Sequence, residues 1–130
     1  MPVKKLRGVG IDLVSLPRAR RFVKDHGARA ARLAGKKSPT LSAVEFARIF
    51  AAKEAYFKAL GLSWMGLEGF ESIKVKSSPR DHFQVQSTLF KGPEASGTFF
   101  SGREWAGAQV IIWGKNELEA GIKKQEKDKV

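Results

Sequence analysis

Apolar and polar positions alternate in two different rhythms along this chain, and one stretch stands apart from both. Phe46 to Leu60 reads F-A-R-I-F-A-A-K-E-A-Y-F-K-A-L, with 11 of its 15 residues apolar. Its length and its alanines predict a helix, and a helix apolar nearly all round is packed on several sides. Ser42 or Thr40 is placed to cap its start, and Gly61 to end it. The exceptions are Arg48, Lys53, Glu54 and Lys58. At about 100° per residue, Glu54 and Lys58 point within about 40° of each other. Glu54 also shares the stripe of Phe50 and Phe57. A carboxylate set among apolar side chains needs a compensating cation, either Lys58 or a bound metal.

Before this helix, Val9, Ile11 and Leu13 alternate within L-R-G-V-G-I-D-L-V (6–14), which predicts a strand with these three facing the core. Gly8, Gly10 and Asp12 then share the other face, where something must approach closely because nothing projects to fill the space. A solvent-exposed face with an Asp leading into a helix fits the same residues equally. Ser15 and Pro17 open a helix whose apolar stripe runs Ala19, Phe22, Val23, His26, Ala30 and Leu33. His26 reads as a packed histidine. Leu62–Gly69 reads as a loop in which Trp64 and Met65 suit an interface or a cleft as well as core packing. The period-two pattern returns around Ile73 and Val75, at Phe83 to Leu89, at Thr98–Phe100 and at Ala106–Trp113, with turns between. The last of these is apolar on both faces over Val110–Trp113 and so central in an antiparallel meander. Residues 1–114 thus form a single expected domain of α+β class, followed by a charged tail, 115–130, read as a frayed helix or disordered.

Charge changes the picture at one end only. The net charge is +11, and residues 1–37 carry +9 of it, with 11 Lys/Arg against two Asp. Arg18, Arg20, Arg21, Lys24, Arg29 and Arg32 crowd one helix. That is more lopsided than solubility requires, so a docking surface for an acidic partner is the better reading than a plain solvated face. Nucleic acid, an acidic protein and a polyphosphate all qualify on charge alone. Cysteine is absent from the 130 residues, in keeping with the cytoplasm. No apolar run approaches a membrane span, and no hydrophobic segment follows Lys4 and Lys5 to make a signal peptide.

Asp12 and Glu54 are the two acids that surface solvation does not explain. Two carboxylates without His or Cys make a hard-oxygen site of the kind magnesium takes, completed by water and phosphate. Lys58 is placed to touch the same phosphates, although a simple Glu54–Lys58 helical pair fits the spacing too. No Walker loop, zinc spacing or dinucleotide fingerprint is present.

G-V-G-I-D-L-V (8–14) and F-A-A-K-E-A-Y-F-K-A-L-G (50–61) together resemble holo-[acyl-carrier-protein] synthase, the short bacterial type of 4′-phosphopantetheinyl transferase. Gly66–Val75 and Glu104–Ile112 continue the likeness. The resemblance implies an antiparallel sheet wrapped on the long central helix, a homotrimer with clefts between subunits, and transfer of phosphopantetheine from coenzyme A to a serine of apo-acyl carrier protein in fatty acid biosynthesis. It implies Asp12 and Glu54 as magnesium ligands and, with Lys58, as the catalytic residues. It assigns Lys53, Lys58 and Gly61 to coenzyme A, and Arg18, Arg21, Phe22 and Lys24 to the acidic carrier. Three positions depart from the family pattern: Ile49 stands where Arg is usual, Gly61-Leu62-Ser63 replaces G-T-G, and Ser101 replaces a His. They fall on the coenzyme A adenosine and 3′-phosphate contacts and leave Asp12, Glu54 and Lys58 intact. A small basic nucleic-acid-binding domain is the competing reading, but it gives no reason for Glu54 or Asp12, and no such motif is present. An inactive relative that binds coenzyme A or a carrier protein is a third.

Overall fold

The computed structural model describes residues 5–36, 41–62, 66–88 and 95–114. The order is β1 (Lys5–Ser15), α1 (Leu16–Asp25), α2 (Gly27–Ala34), α3 (Ala43–Leu60), α4 (Gly66–Glu71), β2 (Ile73–Ser77), β3 (His82–Ser87), β4 (Ala95–Ser101) and β5 (Trp105–Gly114). The strands form one antiparallel sheet in the order β1-β5-β4-β3-β2. β2 to β5 make the expected meander, and β1 joins on the far side of β5, so β5 is hydrogen-bonded on both edges.

α3 is the helix expected, with three residues more at its start. Ser42 caps it, its Oγ accepting from Glu45 N at 3.1 Å. Gly61 closes it in the left-handed conformation, φ 71°, where residues with a Cβ are disfavoured. Ala47, Ala51, Ala52, Ala55, Tyr56 and Phe57 are all buried. The sheet lies along one side of this helix and α1 and α2 along another, while α4 meets it through Phe70.

β1 corrects the expected burial. Val9, Ile11 and Leu13 are 45%, 52% and 55% exposed, whereas the Gly8–Gly10–Asp12 face meets α3. A Cβ on Gly8 would collide with the carbonyl oxygen of Ala59, and one on Gly10 with that of Ala55. The close approach expected of this face is therefore made by the backbone of α3. The inward apolar side chains come from β5 instead. Val110 pairs with Gly10 and Ile112 with Gly8, and both are buried.

Two further expectations change. The basic segment is two helices, α1 and α2, broken at His26-Gly27. His26 is exposed at this joint, its ring 5.2 Å from that of Phe22, and not packed in the core. Residues 66–69, within the stretch read as loop, belong with Phe70 and Glu71 to the short helix α4, whose Phe70 is fully buried against Phe50 and Phe57. Trp64, Met65, Leu89 and the tail 115–130 lie outside the described residues.

Candidate active site

Asp12 sits near the end of β1 on the face turned to α3, its side chain 17% exposed. One turn beyond Glu54 on α3, Lys58 reaches across. Its Nζ donates to Asp12 Oδ1 at 2.8 Å and to the carbonyl oxygen of Ile11 at 3.2 Å. Glu54 and Asp12 border one cleft of about 560 Å³ between β1, α1, α3 and the start of β5. The Glu54 carboxyl is pushed above the ordinary glutamate range, first by burial and then by the charge of Asp12, with Lys58 pulling the other way. Asp12, far away in sequence, is thus brought into electrostatic contact with the α3 neighbours Glu54 and Lys58.

This donor set fits a hard divalent cation. Two carboxylates stand together without nitrogen or sulfur donors, and a lysine ammonium already rests on a carboxylate oxygen and a backbone carbonyl, a cation's position. No group of three or more His, Cys, Asp or Glu forms among the described residues. A metal held here would take its other oxygens from water or from substrate phosphates.

Of the four residues expected to meet a carrier, Arg18 and Phe22 line this cleft, and Arg21 and Lys24 lie elsewhere on α1. The cap at Ser15 aims the helix: its Oγ accepts from Arg18 N at 3.4 Å, and Pro17 sits in the first turn. Phe22 stacks on Phe46, with ring centroids 5.3 Å apart. Gly61 ends α3 one turn beyond Lys58, and apart from its chain neighbours no atom of the other described residues lies within 4 Å of where a Cβ would stand on it.

Lys53 does not reach the cleft, which corrects its expected contact with coenzyme A. It is 1% exposed, and its Nζ donates to the carbonyl oxygen of Leu33 at 2.6 Å, 5.0 Å from the Phe70 ring centre. One residue of helix rotation separates it from Glu54, enough to turn it toward α2 and α4. Its pKa is lowered to about 8, mainly by burial and then by Lys74, with Glu71 opposing.

Sequence reasoning missed the cleft's apolar walls. Phe46, Phe50 and the half-exposed Trp105 line it beside Glu54. Trp105 lies within the E-W-A-G-A segment, where strand position gave no hint that it would meet α1. A hydrogen bond from Leu16 N to the Glu104 carbonyl, 2.8 Å, brings those two chain turns together. Ile49 is buried beside a second groove of about 520 Å³, which Arg48 also borders. Arg48 is held toward Asp81, 3.5 Å away, and the Phe99 ring at 5.6 Å.

The sequence of residues 8–110 matches the family model described as 4′-phosphopantetheinyl transferase superfamily. The chain belongs to that superfamily, a class of group-transfer enzymes. Within the class, its fold is that of the holo-[acyl-carrier-protein] synthases. The structure of the Helicobacter pylori holo-[acyl-carrier-protein] synthase in complex with coenzyme A is similar at a TM-score of 0.65 and 27% identity, covering 80% of this chain and 99% of that one. The Neisseria meningitidis synthase is similar at 0.64 and 25%, covering 82% and 98%. The Bacillus anthracis synthase in complex with coenzyme A (3′,5′-ADP) is similar at 0.56 and 28%, covering 85% and 98%. Comparison with curated protein sequences gives no match.

Proposed function

We propose that this protein transfers 4′-phosphopantetheine from coenzyme A to a serine of an apo-acyl carrier protein, with magnesium, in fatty acid biosynthesis. The observation that carries the reading is that Asp12 and Glu54 border one cleft beside the basic helix α1, with Lys58 bonded to Asp12 at 2.8 Å. Asp12 and Glu54 would hold magnesium, which when bound neutralises charge on the diphosphate. Lys58 neutralises the transferred phosphoryl group, so catalysis rests on positioning and electrostatics. The serine oxygen forms its bond to phosphorus as the bond to the leaving phosphate oxygen breaks. Adenosine 3′,5′-bisphosphate departs with that electron pair. The serine proton goes to the Glu54 carboxylate or to a water beside it.

Arg18 and Arg21 supply attraction for an acidic carrier, and Phe22 with Trp105 an apolar contact at the cleft mouth. Gly61 leaves room for the cofactor diphosphate at the end of α3. A homotrimer is part of the proposal. Leu6, Val9, Ile11, Leu13 and Trp113 are all exposed on β1 and β5, the kind of apolar face that a subunit interface covers. The proposed setting is the cytoplasm; no described helix is long and apolar enough to cross a membrane. Release of adenosine 3′,5′-bisphosphate that requires apo-carrier, coenzyme A and magnesium together tests the reading, and release without carrier or without metal counts against it.

A further inference from the structure

Lys58 has a second role in this geometry, distinct from any contact with substrate. Its ammonium spends two of its three protons on β1, one on Asp12 Oδ1 at 2.8 Å and one on the Ile11 carbonyl at 3.2 Å. The two partners differ in freedom. The Asp12 side chain is 17% exposed and anchored on a paired strand, where Asp12 faces Ala108 of β5. The Lys58 side chain is 53% exposed, so it is the member that can turn away. A divalent ion on Asp12 Oδ1 cannot share that oxygen's near side with an ammonium, because two cations at such a separation repel strongly outside bulk water.

We propose that Lys58 is the resident cation of Asp12 in the metal-free protein, and that it gives up this position when a divalent ion is taken between Asp12 and Glu54, turning its amine to the phosphate instead. The proposal rests on the magnesium reading above. Lys58 and the metal thus compete for Asp12 in the absence of coenzyme A. The incoming diphosphate resolves the competition, because it offers the displaced ammonium a new anionic partner.

The test is manganese binding to the full-length protein without coenzyme A, followed by electron paramagnetic resonance of the free ion. Lys58→Met is expected to bind manganese at least about 5-fold tighter than wild type, the low end of ordinary coupling between two ligands. Lys58→Arg, which keeps a cation in place, is expected to stay near wild type. The gain should persist in high salt, because a contact effect is screened less than a general field. Equal or weaker binding by Lys58→Met, or a gain abolished by salt, overturns the proposal. A second measurement needs no variant. Reductive methylation of Lys58 in the wild type, read by mass spectrometry, should quicken on adding magnesium; an unchanged or slower rate overturns it. Asp12→Asn separates the two readings. If wild type and Asp12→Asn bind manganese alike, or neither binds, the magnesium site itself fails and the proposal with it.

Discussion

Gly10 lies so close to Ala55 that a single added methyl group would strike the Ala55 carbonyl oxygen. This contact fixes which face of β1 is inside. Gly10→Ala is expected to destabilise the fold by about 1–3 kcal/mol or more, the usual cost of overpacking, here against a backbone that cannot move aside. Ile11→Asp, on the outward face, should leave the thermal midpoint of the subunit nearly unchanged and convert the proposed trimer to monomer in sedimentation velocity. A stable Gly10→Ala together with an unstable Ile11→Asp would mean that the strand is the other way round.

The same strand shows how far the sequence could be read. Its alternation was clear, and so was the need for close approach at Gly8 and Gly10. The inference that Val9, Ile11 and Leu13 face the core failed because apolarity does not distinguish a core from an uncovered sheet face. The apolar residues that fill the interior beside those glycines come from β5, a hundred residues away in sequence, and no local pattern announces that pairing. α3 was legible for the opposite reason: length, alanines and the Ser42 and Gly61 caps agree with each other and with the fold. Of the site, Asp12, Glu54 and Lys58 stood out because each broke a local rule. The break at His26-Gly27 and the walls Phe46 and Trp105 did not, since periodicity continued through the first and packing alone made the second.

Lys53 gives a pH signature. Its folded pKa of about 8 lies below the ordinary lysine value of 10.5, so between these values the unfolded chain holds the extra proton and stability rises with pH. The cost of burying the charge is present at neutral pH and is relieved through that window, by up to about 3 kcal/mol. Urea midpoints of the wild type, compared with Lys53→Met, should therefore rise from pH 8 toward 10. A flat difference between the two proteins would show that Lys53 is not buried as a charged group.

Glu54 shifts the other way. Burial and Asp12 raise its pKa, and Lys58 lowers it. The folded protein holds the proton more tightly, so this carboxyl's contribution to stability is present below its unfolded pKa and is lost as pH rises through the folded one. Glu54→Gln should melt above wild type at neutral pH while losing about 10²–10³-fold in turnover, the scale of a lost transition-state contact. Carboxyl-carbon NMR should place the Glu54 midpoint above that of a free glutamate side chain, higher still in Lys58→Met and lower in Asp12→Asn. Identical midpoints in all three proteins would remove the electrostatic link among these residues.

Arg18 and Arg21 should govern the carrier and not coenzyme A. Replacing both by Glu is expected to raise KM for the carrier about 10-fold or more, since like charge across an interface costs several kcal/mol. KM for coenzyme A should stay near its wild-type value, and the wild-type carrier KM should climb steeply with salt. An equal rise in both KM values would place these arginines at the cofactor instead.

The most direct measurement is the mass of the carrier itself. The protein is incubated with coenzyme A, magnesium and apo-acyl carrier proteins, including those of its own organism, and each carrier is weighed by mass spectrometry. The account predicts the gain of one phosphopantetheine on a single serine, within a reaction time in which Asp12→Asn and Glu54→Gln give no detectable gain. No gain on any carrier, or a gain that survives both substitutions, would contradict it.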